Sequence, residues 1–250
     1  MSSTPRVLVV QHEKETGPGW WGDWLADAGL ALDVRHPYAG DEMPPVTSYA
    51  GVVVLGGAMG PADDGACAWL PATRALLADA VAAGVPTFGI CLGAELLVVA
   101  CGGTVRRGEA GPELGVLDIE PLPAAAADAV LGVLPSTARV LQWHWEEMVS
   151  LPPGGVELAA SAVYRTQAFR LGDAAWGVQG HPEVTPAIAA TWARDDSPLL
   201  VAAGRRPEEL LAELESAQQA LATTWRPVAA AFAAVVHDKA VLHRGEEQPH

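Results

Sequence analysis

Short, almost continuously apolar runs alternate with amphipathic stretches through the first part of the chain. Arg6–Val10 (RVLVV), Gly51–Leu55 (GVVVL) and Thr87–Ile90 (TFGI) are such runs, each bounded by polar or glycine-bearing segments. Apolar continuity of that kind predicts strands covered on both faces. A further strand is expected over Leu32–Arg35, and helices over Trp20–Ala28, closed by Gly29, and over Leu70–Ala83. Trp20, Trp21 and Trp24 fall at helical spacing and read as core packing. Strand and helix in alternation predict an α/β fold with a mostly parallel sheet.

Beyond Gly103 the pattern changes. Thr104–Arg107, Val116–Glu120, Val140–Gln142, Glu157–Ala160, Ala168–Leu171 and Ala175–Gln179 are short β runs separated by turn signals, expected to extend the parallel core as a mixed sheet. Alanine-rich Ala124–Val130 reads as a connecting helix, and Pro186–Arg194 as another. From Pro207, Leu210, Leu214, Ala217 and Leu221 share a helical stripe. A second segment over Val228–Leu242 carries Phe232, Val235 and Val236, with Pro227 at the joint. The expected division is a domain over residues 1–200, then a helical extension and polar tail over 201–250 that packs on the core or on another subunit.

Hydrophobic residues make up 50% of the 250 and charged ones 18%, a balance that fits a folded globular chain. The net charge of −15, with no basic patch, argues against a nucleic-acid surface. The start runs straight into a strand without a leader-like apolar region, and no stretch is long enough to span a bilayer, so a cytoplasmic protein without a membrane partner is expected. Three cysteines without a C-x-x-C suit the same reducing compartment.

The chemistry concentrates in Val85–Val105, where a buried strand runs into Gly89-Ile90-Cys91-Leu92-Gly93 and out into an apolar helix. G-x-nucleophile-x-G at such a junction is the nucleophile elbow, with Cys91 exposed at the bend. The glycines are needed where backbones pass too close for a Cβ. The helix start then points free N–H groups and the positive end of its dipole at the sulfur. The motif alone describes equally well an inert, buried cysteine beside a glycine turn. The glycines of Gly56-Gly57-Ala58-Met59-Gly60 do not match G-x-G-x-x-G, so no dinucleotide cofactor is implied. At the end of a strand they free backbone N–H groups toward a ligand, and Gly57 and Leu92 are the expected oxyanion donors.

A thiol nucleophile needs a base, and the base an orienting group. His181-Pro182-Glu183 fits: residues two apart on an extended segment project to one side, and Pro182 keeps the segment extended. His144, between Trp143 and Trp145, is a rival base or a wall of the site. H-x-E is also half of a zinc deaminase signature, but no P-C-x-x-C follows and no metal is implied.

Taken together, VVVLGGAMGP, PTFGICLGAELL, LQWHWEE and TQAFRLGDAAWGVQGHPEVTP resemble, in order and spacing over about residues 5 to 195, the triad-type class I glutamine amidotransferases, and among them stand-alone proteins similar to the amidotransferase domain of GMP synthase. The resemblance implies a flavodoxin-like, doubly wound sheet with Cys91, His181 and Glu183 as the triad. It also implies that the backbone near Gln167, Ala168 and Phe169 grips the amino-acid end of glutamine or a γ-glutamyl compound. Three departures stand out. Glu95 replaces the glutamine one helical turn after the nucleophile and would meet a substrate ammonium. Gly180 replaces an aromatic and would open the pocket wall, and Glu146 replaces an aspartate. The implied activity is γ-amide hydrolysis through a thioester, with ammonia passed to a separate synthetase subunit. The alternatives are a self-sufficient γ-glutamyl hydrolase or peptidase, and a catalytically silent regulatory subunit. A homo-oligomer through the C-terminal helices is a further option.

Overall fold

A computed structural model describes residues 4–246. In chain order the elements are β1 (Arg6–Val10), α1 (Gly19–Asp27), β2 (Ala31–Arg35), β3 (Gly51–Val54), α2 (Leu70–Ala82), β4 (Thr87–Ile90), α3 (Leu92–Ala100), β5 (Thr104–Arg107), β6 (Glu113–Pro121), β7 (Ala138–His144), β8 (Glu146–Ser150), β9 (Gly155–Ala160), β10 (Ala168–Leu171), β11 (Ala175–Val178), α4 (Pro186–Asp195), α5 (Ser197–Ala202) and α6 (Pro207–Glu246). Nine strands form one sheet in the order β2-β1-β3-β4-β11-β10-β9-β6-β7. From β2 to β11 neighbours run parallel, and from β11 to β7 they run antiparallel. The parallel half has the flavodoxin-like order, with helices on both faces.

The two-residue period of the strands sorts their side chains between those faces. Val7, Val9, Val53, Phe88 and Trp176 point to a core shared with α1, α4 and α6. Leu8, Val10, Val52, Val54 and Ala175 point to a second core under α2 and α3. Trp21 lies fully buried and stacks on Phe88 at 4.3 Å, Trp24 is buried beside it, and Trp20 packs partly buried against the same core, as their spacing predicts.

Four expectations need correction. The two C-terminal helices are one helix, α6, with Pro227 inside it. Trp225, Val228, Ala229 and Phe232, on either side of the proline, are buried on the sheet. That packing outweighs the roughly 3 kcal/mol that proline costs a helix interior. The helix also takes in the first residues of the expected polar tail, the rest of which lies outside the described residues. Ala124–Val130 is not an α-helix but a 3-10 turn, Pro123–Ala127, that stops at Asp128. The buried Asp128 carboxylate accepts from the Val130 and Leu131 N–H groups, Trp176 Nε1 and Arg170 Nε, all within 2.8–3.0 Å. Those bonds draw the backbone out of helical geometry. Thr104–Arg107 does not extend the large sheet: it pairs with Glu146–Ser150, a strand the sequence pattern hides, in a separate ribbon. The last correction concerns Gly180. A Cβ there would lie 2.6 Å from Val140 Cγ2, so the position faces β7 and opens no pocket wall.

Candidate functional site

Parallel strands end together, and at a point where the chain order reverses their following loops diverge and leave a crevice. Here β1 lies between β2 and β3, and the crevice opens over the C-terminal ends of β1, β3, β4 and β11. A cavity of about 230 Å³ fills it, lined by Glu13 to Thr16 except Lys14, by Gly57 to Met59, by Cys91 and Glu95, and by His181. The segments 143–146 and 192–199 contribute the far wall.

The elbow is built as its glycines predict. Cys91 has φ 50° and ψ −112°, and among the described residues it is the one non-glycine with positive φ. Holding an L-residue there costs about 1–3 kcal/mol, met by the surrounding packing. A Cβ on Gly93 would lie 2.0 Å from the Val54 carbonyl oxygen, and one on Gly89 2.7 Å from the backbone of Gly93. The first would force α3 off β3, the second α3 off β4. The Cys91 N–H donates to the Val178 carbonyl at 2.8 Å, which ties the bend to β11.

His181 reaches the same cavity from the end of β11. Its N–H donates to the Leu141 carbonyl at 2.7 Å, docking the segment on β7. Its Nδ1 lies 2.7 Å from Glu183 Oε1, and both side chains are buried. The ring and the cysteine flank Gly56. A Cβ on that glycine would lie 2.9 Å from His181 Cε1 and 3.6 Å from Cys91 Cβ. Trp192 packs edge-on against the imidazole at 4.8 Å. With Nδ1 on Glu183, Nε2 is the nitrogen free for chemistry.

Burial pushes the Cys91 thiol well above its ordinary range; Glu95, Glu183 and Glu146 add to the rise, and the Leu92 N–H opposes it. Burial also raises Glu95 to about 8, against a hydrogen bond donated by Gln179 Nε2 to Oε1 at 2.8 Å. The same amide nitrogen lies 3.9 Å from Cys91 Sγ. Near neutral pH Glu95 therefore carries a proton and adds little charge beside the sulfur.

His144 lines the cavity, but both ring nitrogens face protein acceptors. Nδ1 lies 2.8 Å from the Glu146 carbonyl and Nε2 lies 3.1 Å from Glu113 Oε2. With both ring nitrogens turned to these oxygens, neither is free to serve a substrate, so it is a wall residue. Gln167 lies behind it, donating to Glu113 Oε2 and accepting from Gln142. Gln167, Ala168 and Phe169 do not line the cavity. Their backbones are engaged with β9 and β11, and Phe169 packs on Gly177. Gly57 lines the cavity and Leu92 starts α3 beside the sulfur.

Glu13, Glu15, Gln179, Asp195 and Asp196 went unnoticed in the sequence. For the first two a signal existed, since they follow the C-terminal end of a parallel strand. Glu13 accepts the Ala58 N–H and so pins the glycine loop. His12, pulled down to about 4 by burial, stays neutral behind that loop and accepts from Trp69 Nε1.

The model of the class-I glutamine amidotransferase family matches residues 25–193. This chain belongs to that family. Among class-I glutamine amidotransferases it is 31% identical, over 63% of its own length and 79% of the relative's, to one of the subunits of a glutamine-hydrolysing GMP synthase from Methanoculleus marisnigri. It is 34% identical to gamma-glutamyl peptidase 4 of Arabidopsis thaliana, over 38% of this chain and 39% of that one. A crystal structure of a glutamine amidotransferase from Thermotoga maritima superposes with a TM-score of 0.83 at 26% identity, covering 93% of this amidotransferase and 99% of that chain. Among the described residues no helix is long and apolar enough to cross a membrane, and no group of His, Cys, Asp or Glu could hold a metal ion.

Proposed function

We propose that this class-I amidotransferase cleaves the γ-amide of glutamine or of a γ-glutamyl compound, with Cys91 as nucleophile, His181 as acid and base, and Glu183 as the group that orients the ring. One observation carries this reading: the bent Cys91 and the Glu183-bound His181 line a single cavity. The buried thiol keeps its proton at rest, so His181 Nε2 takes it as Sγ attacks the amide carbon. The Gly57 and Leu92 N–H groups receive the oxyanion, each worth a rate factor of about 10² to 10³. His181 then gives the proton to the departing nitrogen and draws one from the water that hydrolyses the thioester. Glu95, protonated and held by Gln179, takes the place of an amide beside the reacting carbonyl.

Ammonia release from glutamine, compared between wild type and Cys91→Ser, tests the reading. Loss of at least about 10³ in kcat is expected, together with loss of the adduct that a glutamine-analogue electrophile forms on wild type. Full activity in Cys91→Ser would overturn it. Delivery of ammonia to a separate synthetase chain is supported by the Methanoculleus relative, itself part of a GMP synthase. Cleavage without delivery is supported by the peptidase relative. Faster turnover of γ-glutamyl peptides than of glutamine by the isolated chain would select the second.

A further inference from the structure

The cavity that holds Cys91 carries more negative charge than glutamine calls for. Glu13, Glu15, Glu146, Asp195 and Asp196 line it beside the protonated Glu95, and Arg107 is the one lysine or arginine among its lining residues, with Arg194 outside the lining 3.0 Å from Asp195. That arginine already lies 3.5 Å from Glu146 and 5.7 Å over the Trp145 ring. Two more indoles complete the wall, Trp143 and Trp192. Their N–H groups go to Asp196 Oδ2 and the Glu15 carbonyl, so the rings are what they present to a ligand.

Two features separate this wall from a solvated acidic face. Glu95 is only 2% exposed and yet lines the cavity; among the described residues one donor meets it, Gln179 on Oε1, which leaves Oε2 without a partner. Glu13 is likewise pushed up, chiefly by burial and against the Ala58 N–H it accepts, with Glu15 and Asp196 adding a smaller repulsion. The carboxylates are also too dispersed for a metal ion among the described residues, being spread around about 230 Å³. That spread suits an extended organic cation.

A γ-glutamyl unit brings one ammonium and one carboxylate, and its net charge of zero leaves the excess unanswered. A leaving group with a second positive charge answers it, because indole faces and carboxylates together bind ammonium ions. On the amide-cleaving reading above, we propose that this cavity selects γ-glutamyl amides of diamines or longer polyamines, with the distal ammonium seated among these acids and indoles. The bond changes are those of amide hydrolysis. Cys91 Sγ bonds to the amide carbon, the C–N bond breaks, and the thiol proton leaves on the amine by way of His181. Water then returns glutamate and the free thiol.

The test compares kcat/KM for three γ-glutamyl amides of similar length, beside glutamine: those of 1,4-diaminobutane, n-pentylamine and 4-aminobutyrate. The cationic amide is expected to exceed the neutral one at least about tenfold. Added salt should shrink that gap, and a Glu15→Gln, Asp195→Asn double variant should narrow it. Equal values for the cationic and neutral amides, or a lead for the anionic one, would overturn the selectivity and leave amide cleavage in place. No turnover of any amide, with Cys91 unreactive toward the electrophile, would remove both.

Discussion

Glu95 shows how burial can make one side chain stand in for another. Its carboxyl ionises near 4.5 in an unfolded chain and near 8 here, so the folded state keeps a proton that the unfolded state has lost between those values. Unfolding releases that proton, and stability therefore falls as pH rises from about 4.5 to about 8, with no penalty below the window. Glu95→Gln should remove the penalty, raising stability at pH 8.5 by up to about 5 kcal/mol and by nearly nothing at pH 4, as read from urea denaturation. The same variant lifts one of the charges that hold the Cys91 thiol up. Iodoacetamide should then alkylate Cys91 with a midpoint at lower pH than in wild type.

The triad candidates were legible at this scale because each carries its own steric signature. Gly89 and Gly93 announce the bend at Cys91, and Pro182 fixes the relation of His181 to Glu183. Asp195 and Asp196 carry none: they are ordinary acids at a helix end, drawn to the cavity only by the path of the chain after His181. Gln167, Ala168 and Phe169 sit at a strand whose backbone the ladder already occupies, which residue types alone do not reveal.

Among elements, the strands of the parallel half were readable because burial on both faces demands unbroken apolar runs. The ribbon strand Glu146–Ser150 was hidden for the opposite reason, since one face is open and its composition is that of a loop. Asp128 decided the fate of the alanine-rich segment before it, and the Asp128→Ala variant should cost about 3 kcal/mol or more by stranding four donors, measured by urea unfolding. In α6, Pro227 is exposed and supplies no N–H to the turn before it. Its replacement by alanine should restore that bond and stabilise the protein by about 2 kcal/mol, seen as a higher melting temperature with the activity retained.

For the whole molecule, α6 is the closing layer of one of the two cores. Phe232 lies edge-on to Phe88 at 5.5 Å, and Trp225 Nε1 donates to the Arg139 carbonyl at 2.7 Å, so one helix grips both the parallel and the antiparallel half of the sheet. Trp225→Ala should lose about 3–5 kcal/mol. Deleting residues 207–250 should abolish the cooperative thermal transition followed by circular dichroism.

Cys91 is synthesised ninety positions ahead of His181, and Trp192, Asp195 and Asp196 follow later still. A polypeptide still on the ribosome thus has Cys91 without β11, which ties its bend, and without the imidazole that follows β11. On the proposed mechanism, amide cleavage therefore begins only in a nearly finished molecule.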